Sequence, residues 1–564
     1  MNPKFKVAIL AGSDSWATRF AIERLLDLPR AEVCGILFDT EPPSLRRRWR
    51  NLRRNIRRDG IGYLWHRLGD AIVELLESWA ARVVSKEEVN QLLRGSFPGR
   101  VFTLLDFPRI HGIQVFDVGN LNSAKASEVL RGLQPDLGIV LGTRVLQRST
   151  FSVPRLGSLN LHKGKVPEYR GLPPGFWELY EGQSTAGVTV HFVDEKLDTG
   201  DVVAESSVDI HPRDSPETLR TKLDVCGAEL LATCVSRIAD GTAVRRPQPP
   251  SDHRPRTAPT RKERRALERR LKLPPQPPRW IRAAKTLLYL AIYHSGLYDF
   301  VRALHRRFPK GRGCILLYHR VNNLTQDHLT ISVERFAEHL TTIGRHYLVV
   351  ATSDFVESVK QRKRLPASAV TIHFDDCYRD IYTNAAPLLA RSRMPACAFV
   401  SSGFISTNRV FHHDAGKIPF RLQNLTRHEL PGLVGAGFEI GAHTVNHVDL
   451  GQVGPDVAAM ELSQSRIDLQ EILGRPINLV SYPYGGKRNI KPEVEHIARQ
   501  IGYEAMFSAY GGYVNDRSDC FDIQRIGIGG QHRPLDLLME IEGLSLAALR
   551  RVWSREKRRS ENPR

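Results

Sequence analysis

The sequence lacks a dense cysteine framework, a long apolar run and an export signal. Its seven cysteines are scattered through 564 residues with no Cys-x-x-Cys pair, a pattern that suits reduced thiols. The longest apolar stretch outside the motif regions, residues 287–301, contains His294 and Asp299 and is shorter than the ~20 residues that a membrane span needs. The apolar run near the N-terminus is too short for a signal peptide. We therefore expect a cytoplasmic protein without a transmembrane helix.

Acidic residues are in the minority, with 61 Asp and Glu against 81 Lys and Arg, which gives a formal net charge of +20. The basic excess lies in four segments, residues 46–58, 254–270, 302–312 and 550–564. Such a charge permits nucleic acid, anionic lipid or an acidic substrate as a partner. Residues 46–76 and 280–308 also contain Trp, Tyr and Leu, so peripheral contact with the anionic inner face of a membrane and a solvated interdomain helix are both open.

Chain length and hydrophobic periodicity predict two α/β domains joined by a linker. An apolar strand over residues 6–10 ends at Gly12 and is followed by a periodic helix over residues 16–28, which is how nucleotide-type α/β folds begin. Apolar strands return after residue 312 with helical patterns between several of them, as in a barrel-like domain. The expected division is a first domain over residues 1–245, a basic Pro-rich linker with an amphipathic helix over 246–311, a second domain over 312–540, and a basic tail over 541–564.

The first chemical motif combines an amide, an imidazole and a carboxylate. Asn160 and His162 alternate in a predicted strand and should project from the same face. Asp198 follows in a glycine-containing loop and can orient and charge-stabilise a histidine. Transfer of an acyl group to an amine needs a polarising donor, a base and a group that tunes the base, and these three residues match those roles. A buried His and Asn that only satisfy each other would show the same residue types.

The sequence motifs around these residues resemble those of the 10-formyltetrahydrofolate-dependent formyltransferase family. The sequence reads Asn-x-His-x-x-x-x-Pro-x-Tyr-Arg-Gly from Asn160, followed by Leu-Asp-Thr-Gly-Asp around Asp198. The resemblance implies a Rossmann-like domain over residues 1–245, a catalytic Asn160, His162 and Asp198, and 10-formyltetrahydrofolate as formyl donor. It also implies acceptor contacts for Tyr169 and Arg170.

The same resemblance implies a folate pocket formed by two loops, one after the strand at residues 136–141 and one before Asp198. The implied folate-binding residues are Arg144, Val145, Leu146, Val193, Asp194 and Leu197. Family members that formylate initiator tRNA carry a further β-barrel domain, whereas a proline-rich basic linker follows here. We therefore expect no nucleic acid partner.

The second chemical motif is a pair of adjacent carboxylates followed by two histidines. Asp375 and Asp376 end an apolar strand, the place where α/β barrels carry their chemistry. His443 and His447 are four residues apart, which brings both rings to one face if the segment forms a helical turn. Two imidazoles and one carboxylate with an open position suit zinc or a similar divalent ion, and the spare carboxylate can act as a base. A lone His-x-x-x-His more often marks an exposed helical pair.

Taken in order, Phe-Asp-Asp, His-Thr-x-x-His and Ser-Tyr-Pro-Tyr-Gly resemble the polysaccharide deacetylase family, also called the NodB homology domain. The resemblance implies a distorted (β/α) barrel and N-deacetylation of an amino sugar. It implies Asp375 as general base and Asp376, His443 and His447 as ligands of a divalent metal, with zinc expected. The implied substrate groove includes Tyr482, Pro483 and Tyr484.

Three positions depart from this family pattern. Cys377 stands where glycine is usual, which strains the turn if the position needs a positive φ. Ser481 stands where the third motif has its arginine, so the tether of the base is open. The C-terminal Leu-x-His motif, which supplies the general acid in many members of the family, is missing. His532 is a poor substitute for that acid. His319 lies at a strand end near the expected site, but a structural role is equally open for it.

The two resemblances together indicate a bifunctional enzyme of surface glycan biosynthesis. We expect one site to transfer formyl to a sugar amine and the other to hydrolyse an N-acetyl group from an amino sugar that is nucleotide- or lipid-linked. In the competing interpretation one domain has lost catalysis and serves as a glycan-binding or regulatory module, and Cys377 and the missing acid favour it.

Overall fold

The computed structural model describes residues 4–42, 44–249, 251, 253–272, 278–307, 313–324, 327–366, 368–415 and 422–551. These residues form two compact units. Unit 1 is drawn from residues 1–67 and 98–276, and unit 2 from residues 68–97, 277–415 and 421–564. The predicted tail beyond residue 551 and the prolines at residues 274, 275 and 277 lie outside the described residues. The domain bounds that the sequence indicates stay a prediction.

The described residues contain seventeen strands. Seven of them belong to unit 1 and the others to unit 2. In chain order they are β1 (Phe5–Ala11), β2 (Ala31–Phe38), β3 (Val115–Asp117), β4 (Leu137–Leu141), β5 (Ser158–His162), β6 (Thr185–Phe192), β7 (Val202–Asp209), β8 (Cys314–Tyr318), β9 (Arg320–Val321), β10 (Thr330–Ile331), β11 (Leu348–Val349), β12 (Ala369–Phe374), β13 (Ala396–Val400), β14 (Phe438–Ala442), β15 (Leu479–Ser481), β16 (Ala505–Phe507) and β17 (Ile526–Gly527).

Nineteen α-helices separate and cover these strands in the described part of the chain. They are α1 (Trp16–Leu26), α2 (Leu45–Asp59), α3 (Gly62–Ala81), α4 (Lys86–Ser96), α5 (Phe107–His111), α6 (Ala124–Leu133), α7 (Arg148–Phe151), α8 (Phe176–Glu181), α9 (Pro216–Ala239), α10 (Arg261–Arg270), α11 (Arg279–His294), α12 (Leu297–Arg307), α13 (Val333–His346), α14 (Thr352–Lys360), α15 (Ala386–Ser392), α16 (Leu430–Gly435), α17 (Pro455–Leu473), α18 (Pro492–Ile501) and α19 (Pro534–Glu542).

Unit 1 is a Rossmann-like α/β layer built on one sheet in the order β3-β2-β1-β4-β5-β6-β7. The first five strands of this order run parallel, and β6 runs antiparallel to both β5 and β7. The predicted opening is confirmed, since β1 leads through Gly12 into α1, whose N-cap Ser15 accepts a hydrogen bond from the Thr18 amide. A Cβ on Gly12 would lie 2.2 Å from the carbonyl oxygen of Gly142. Only glycine therefore lets the ends of β1 and β4 approach this closely.

Alternate residues of β1 pack into two separate cores, one on each face of the unit 1 sheet. Val7 and Ile9 belong to a cluster that includes residues of α1 and α9. Ala8 and Leu10 belong to a second cluster that includes residues of α6. This alternation is the period-2 pattern of a strand that is buried on both faces. This alternation fixes the register of the sheet, and the register sets where the carboxyl end of β5 lies relative to its neighbouring strands.

Unit 2 is an α/β barrel of parallel strands in the order β16-β15-β14-β13-β12-β8-β17. The four apolar runs that predict strands here form β8, β12, β13 and β14. The last of these begins at Phe438, one residue before the predicted start at Glu439. Residues 523–527 close the ring: Ile523 bridges Phe507 of β16, and β17 pairs with β8. The distorted barrel is thereby confirmed. Its carboxyl strand ends converge, which places residues after β8, β12, β14 and β15 around one mouth.

Part of the predicted linker pairs with unit 1. The backbone amide and carbonyl of Arg246 exchange hydrogen bonds with Val202 of β7, and Arg256 does the same with Arg170 and Leu172. Helix α10 begins at the predicted basic run with Thr260 as its N-cap. Residues 250, 252, 273–277 and 308–312 of this stretch lie outside the described residues.

Three helices carry exposed apolar rows although none of the described helices is long and apolar enough to cross a bilayer. On α3 the row recurs every three or four residues, which is one helical face. On α11 and α12 the apolar residues follow the same spacing. The exposed members are Leu64, Trp65, Leu68, Ile72, Leu75 and Trp79 on α3, Trp280, Ile281, Leu287 and Leu288 on α11, and Leu297, Phe300 and Leu304 on α12.

Candidate active sites

The first site forms where β5 ends in unit 1. Asn160 and His162 lie two residues apart on this strand and both reach the Asp198 carboxylate, which returns on the loop after β6. Asn160 Nδ2 donates to Asp198 Oδ1 at 3.2 Å, and His162 Nδ1 lies 3.6 Å from Asp198 Oδ2. His162 and Asp198 are buried, whereas Asn160 is partly exposed. The structure thus brings the three predicted catalytic residues together.

Hydrogen bonding decides which nitrogen of His162 carries the proton of the neutral ring. Its Nε2 lies 2.8 Å from the carbonyl oxygen of Tyr169, which can only accept. The neutral ring therefore keeps its lone pair on Nδ1, the atom that faces Asp198. A proton that arrives at Nδ1 forms an imidazolium directly beside the carboxylate.

The charges of this cluster favour a neutral histidine beside an ionised aspartate. Burial lowers the pKa of His162, and the Asp198 carboxylate raises that pKa only in part. Burial raises the pKa of Asp198, but the neighbouring imidazoles of His191 and His162 bring that pKa below its ordinary value. His162 is thus free to accept a proton at neutral pH, and Asp198 is ready to stabilise it.

His191 belongs to this cluster and was missed in the sequence. Its Nδ1 donates to the Phe192 carbonyl at 2.8 Å, so its Nε2 accepts from Asn160 Nδ2 at 3.2 Å. Both amide hydrogens of Asn160 are therefore engaged, and an acyl carbonyl has to replace one partner. The alternation of β6 places His191 opposite Asn160, but only the strand pairing reveals that register.

The loop that carries Asp198 is held by close backbone contacts. Asp198 has a positive φ of 53°, and Gln248 Nε2 donates to the carbonyls of Asp198 and Gly200 at 3.1 and 2.8 Å. A Cβ on Gly200 would lie 1.9 Å from the Phe192 carbonyl oxygen, so the Asp-Thr-Gly sequence is needed for the turn itself. Gln248 comes from the predicted linker, which thus supports the site.

The residues predicted to bind folate lie on two loops with different exposure. Arg144 pairs with Asp39, at 2.5 Å from Nε to Oδ2, and Asp194 accepts hydrogen bonds from the Thr199 hydroxyl. Val145 and Leu197 are exposed, whereas Leu146 packs in the core with Val193 against it. Their folate contacts stay a prediction.

A cavity of about 580 Å³ shares the Tyr169 loop with this cluster, although Asn160, His162 and Asp198 do not line it. The Tyr169 hydroxyl donates to Glu181 Oε2 at 2.8 Å, and its ring lines the cavity. Arg170 Nη2 donates to the His253 carbonyl at 2.6 Å and is not among the lining residues. Tyr169 therefore connects the catalytic histidine, through its carbonyl, with the cavity, through its side chain.

The second site gathers at the carboxyl strand ends of unit 2 around Asp376. His447 Nε2 and His443 Nε2 lie 3.1 and 3.5 Å from Asp376 Oδ1, and His413 Nε2 lies 3.3 Å from Asp376 Oδ2. The three predicted metal ligands thus lie together. His413 is an additional imidazole that the sequence analysis missed, because it lies in a loop with no spacing relation to the other motifs.

The histidine segment is a loop rather than the helical turn that a spacing of four residues allows. Thr444 and His447 both have positive φ, at 60° and 55°. The amides of Val445 and Asn446 donate to the buried Glu461 carboxylate of α17 at 2.9 and 2.8 Å. These bonds replace the backbone partners that a helical turn would supply, and they aim both rings at Asp376 by another route.

His443 has the orientation of a metal ligand. Its Nδ1 donates to the Ser481 carbonyl at 3.0 Å and lies 2.6 Å from the Ser481 hydroxyl. The lone pair of the neutral ring is therefore on Nε2, on the side of Asp376, as in sites where a backbone carbonyl fixes a ligating histidine. The Nδ1 of His447 and Oδ2 of Asp376 are buried without hydrogen-bond partners among the described residues.

Arg525 supplies the tether for Asp375 that the Ser481 substitution left open. Its Nη1 and Nη2 donate to the two oxygens of Asp375 at 2.7 Å each, and both side chains are buried. Ser481 adds a hydrogen bond to Asp375 Oδ1 at 3.2 Å. Burial raises the pKa of Asp375, but the Arg525 guanidinium brings it below its ordinary value. The predicted base is thus held ionised by an arginine that precedes β17.

Cys377 has a φ of 68°, so the suspected backbone strain is present. His319 follows β8 and feels the charges of Asp375 and Asp376, while burial lowers its pKa to about 4. His532 instead contacts Gly529 and His339. Of the two histidines considered as acids, the structure therefore places His319 beside the site.

The predicted substrate loop exposes one of its three members. Tyr482 and Pro483 are buried, whereas Tyr484 is 46% exposed. The Tyr484 ring centroid lies 4.9 Å from that of His447. Tyr484 is thus the part of this loop that solvent and ligands can reach, and the substrate role of the loop stays a prediction.

The donor set of unit 2 fits a divalent cation. One ligand atom each from Asp376, His413 and His447 lie within 4.8 Å of one another, and the Nε2 of His443 faces the same carboxylate. Imidazole nitrogens with a carboxylate are the ligands that zinc and similar ions prefer. The unpartnered buried Oδ2 of Asp376 is a polar atom that such an ion would satisfy.

Comparison with known proteins finds two different families in the chain. A family model described as formyl transferase matches residues 79–235, and one described as polysaccharide deacetylase matches residues 362–506. Methionyl-tRNA formyltransferase of Agathobacter rectalis is 37% identical over 139 residues, which are 24% of this chain and 45% of that protein. The enzyme of the same name from Thermodesulfovibrio yellowstonii is 36% identical over 120 residues, 21% of this chain and 39% of that protein. The chain thus spans less than half the length of these relatives.

Solved structures similar to this chain fall into the same two groups. Streptococcus pyogenes deacetylase PplD in complex with acetate is 23% identical and aligns with 41% of this chain and 98% of its own, at a TM-score of 0.36. Glycinamide ribonucleotide transformylase 1 from Symbiobacterium toebii is 17% identical and aligns with 44% of this chain and 95% of its own, at a TM-score of 0.30. With the two family matches and the two assembled clusters, the chain is a fusion of a formyl transferase domain and a polysaccharide deacetylase domain.

Proposed function

We propose that unit 1 transfers a formyl group from 10-formyltetrahydrofolate to the amine of an amino sugar. The observation that carries this proposal is the convergence of Asn160, His162 and Asp198, with the free lone pair of His162 on Nδ1. The amine nitrogen attacks the formyl carbon, and the bond from that carbon to the folate nitrogen breaks. Asn160 donates to the formyl oxygen, His162 takes the amine proton, and Asp198 stabilises the imidazolium.

Unit 2, in this proposal, hydrolyses the N-acetyl group of an amino sugar. Asp375, held ionised by Arg525, takes a proton from the attacking water. The water oxygen adds to the acetyl carbon, the C–N bond breaks, and acetate and a free amine leave. Asp376, His413, His443 and His447 would hold a divalent ion, with zinc the expected one. When bound, such an ion polarises the amide carbonyl and lowers the pKa of water.

The proton that Asp375 takes from the water is the one that passes to the leaving amine. His319 follows β8 at the mouth of the barrel, but its pKa of about 4 leaves it neutral near pH 7, so it does not serve as the proton donor. The alternative, in which one domain is a glycan-binding or regulatory module without catalysis, predicts that this domain turns over no substrate.

The transfer reaction is tested with purified protein, 10-formyltetrahydrofolate and two classes of acceptor. Amino sugars, nucleotide-linked and free, form the first class. Methionyl-tRNA forms the second, because the relatives of unit 1 carry that substrate in their names. N-formyl sugar that disappears in a His162→Ala variant supports the proposal, whereas formylation of the tRNA alone refutes the sugar acceptor.

The hydrolysis is tested by release of acetate from N-acetylated amino sugars. Chelation should stop the release, and zinc should restore it in the wild-type protein but not in an Asp376→Ala variant. Release that persists after chelation contradicts the metal-dependent reaction. Absence of any release in the zinc-loaded wild-type protein favours the binding-module alternative.

We further propose that the protein works in surface glycan biosynthesis at the cytoplasmic face of an anionic membrane. The exposed apolar rows of α3, α11 and α12 include Trp79, Trp280 and Phe300, residues that suit the interface between headgroups and acyl chains. The α2 segment is rich in arginine, which complements anionic lipid. Sedimentation with phosphatidylglycerol vesicles but not with phosphatidylcholine vesicles is expected; equal recovery with both refutes the charge complementarity.

A further inference from the structure

The cavity beside the transfer site in unit 1 has a lining dominated by carboxylates. Its volume is about 580 Å³, which lies in the range of small-ligand pockets, ~300–1,000 Å³. Four glutamates face two cations, Lys165 and Arg256, across it. The four glutamates are Glu168, Glu178, Glu181 and Glu205. The other lining residues are polar or small and are Tyr169, Gln183, Thr185, Gly187, Ser206, Ser207 and His253.

Glu178 is the member of this lining whose bonding is incomplete. Its side chain lies on α8, the residue is only 2% exposed, and Oε1 has no hydrogen-bond partner among the described residues. Glu168 Oε2 is likewise buried and unpartnered. Buried carboxylate oxygens are nearly always paired, and an unpaired one has to be explained. A ligand with a hydrogen-bond donor would complete both groups.

Glu181 and Arg256 of the cavity match each other. Glu181 accepts from the Tyr169 hydroxyl at 2.8 Å and pairs with Arg256 Nη2 at 2.6 Å. The Arg256 guanidinium also lies over the Tyr169 and Trp177 rings, at 5.6 and 5.4 Å from their centroids. Arg256 is thereby fixed and neutralised at the wall. Glu205 pairs with Arg246 Nη2 at 3.8 Å, so Glu178 and Glu168 face Lys165 alone. The negative charge that remains disfavours an anion as the ligand.

We propose that this cavity binds the protonated amino group of a polyhydroxylated amine, with Glu178 as its counter-ion. The hydroxyl and amide groups of Thr185, Ser206 and Gln183 suit the hydroxyls of a sugar ring. The Tyr169 loop joins the cavity to His162, so the site receives an amino sugar next to the point of formyl transfer. The assignment of the amine as a sugar rests on the proposed function of unit 1.

The test measures binding to the full-length protein without formyl donor, by calorimetry at pH 7.5. The probe is 6-amino-6-deoxyglucose, and glucose and glucose 6-phosphate are the neutral and anionic analogues. The wild-type protein should bind the amine at least 10-fold more tightly than either analogue. Glu178→Gln, which keeps the shape and removes the charge, should weaken amine binding at least 10-fold. Glu128→Gln, which removes an exposed carboxylate of α6, should bind like the wild type.

A His162→Ala variant separates this proposal from the transfer reaction. It should lose formyl transfer and keep wild-type affinity for the amine. Failure of formyl transfer in every protein, with Glu178-dependent amine binding intact, would refute the proposed function of unit 1 and leave the cavity assignment standing. The assignment is overturned if the wild-type protein does not bind the amine, if an analogue binds equally well, or if folded Glu178→Gln retains full affinity.

Discussion

The two clusters of this chain handle buried charge in opposite ways. In unit 1 the proposed base is a neutral histidine, and the neighbouring Asp198 would stabilise the imidazolium after proton transfer. In unit 2 the proposed base is a carboxylate that is already ionised, and Arg525 holds it with two hydrogen bonds while Asp376 faces three imidazoles. A neutral base suits a proton-transfer step between neutral reactants. A fixed charge array suits a cation and an activated water.

The difference extends to what each site demands of the fold. The unit 1 cluster lies on adjacent, antiparallel strands and one glycine turn, so its members are positioned by local pairing. The unit 2 cluster draws on residues from β12 to β17, which meet only when the barrel closes. Removal of a charged side chain from the unit 2 cluster should therefore lower the free energy of unfolding. Removal of a side chain from the unit 1 cluster should mainly lower the reaction rate.

The largest effect is expected from His162→Ala, which removes the proton acceptor of unit 1. We expect formyl transfer to fall by roughly 10²–10⁴-fold, the usual contribution of a general base. Steady-state kcat/KM for the formyl acceptor measures it. Acetate release by unit 2 in the same variant should be unchanged. A parallel loss of both activities would contradict two independent sites.

Arg525→Met should destabilise unit 2 because it leaves the buried Asp375 charge without a partner. Breaking such a pair costs about 3–5 kcal/mol, measured as the free energy of unfolding in urea. The matched control is Arg499→Met, whose exposed pair with Glu495 should contribute less than about 1 kcal/mol. Restoration of stability by the double variant Asp375→Leu/Arg525→Met would confirm the cause; equal effects of the two single variants would contradict it.

We expect the Glu178→Gln variant to have a larger free energy of unfolding than the wild type at high pH. If the Glu178 carboxylate only stabilised the fold, its replacement would lower that free energy. Burial raises the pKa of Glu178 to about 7 from 4.5; its own backbone amide and Arg256 lower that pKa, and Glu181 raises it. Because the folded pKa exceeds the unfolded one, the folded state binds more protons, and the free energy of unfolding falls as pH rises from 4.5 to 7. The difference of 2.5 units, 7 minus 4.5, corresponds to about 3 kcal/mol as an upper bound.

Thermal unfolding of Glu178→Gln and the wild type at pH 4 and pH 8 measures this effect. The variant should unfold at a higher temperature than the wild type at pH 8, and the gap should vanish at pH 4. Glu128→Gln is the control and should show no gap at either pH. A lower unfolding temperature of Glu178→Gln at pH 8 would contradict an uncompensated buried charge.

The smallest effect is expected from His413→Ala, which tests whether the third imidazole takes part in the metal centre. We expect zinc affinity to fall by roughly 10–100-fold, the range for residues that orient or support a metal site. Competition with a chromogenic chelator measures it. The neighbouring exposed His412 provides the control, and its replacement by alanine should leave the affinity unchanged. If the two variants bind zinc equally, His413 lies outside the centre.

Much of the fold follows from local patterns. The apolar runs that end at Gly12, Leu141 and Phe374 are strands because a buried parallel strand is apolar on both faces. The predicted pairing of Asn160 and His162 on one face needs only the period of a strand. A helical turn would also bring His443 and His447 together, but a spacing of four residues does not require a helix, and Glu461 holds that segment as a loop.

His191, His413 and Arg525 could not be assigned from the sequence, since each acts through a partner far along the chain. Arg525 is 150 residues from Asp375, and no local period relates them. Gln248 is similar: its segment reads as linker by composition, and only its pairing with β7 brings it to the Asp198 loop.

The sequence by itself determined the two α/β units, their main strands and the residue types that each reaction needs. Burial and the period of a strand can be read from the pattern of apolar and polar residues within a short segment. The tertiary structure alone decided which distant groups complete each site. Sheet pairing set His191 against Asn160, and barrel closure brought Arg525 to Asp375. Charges and hydrogen bonds act over a few ångströms in space, and the separation of two residues along the chain does not predict whether they lie that close.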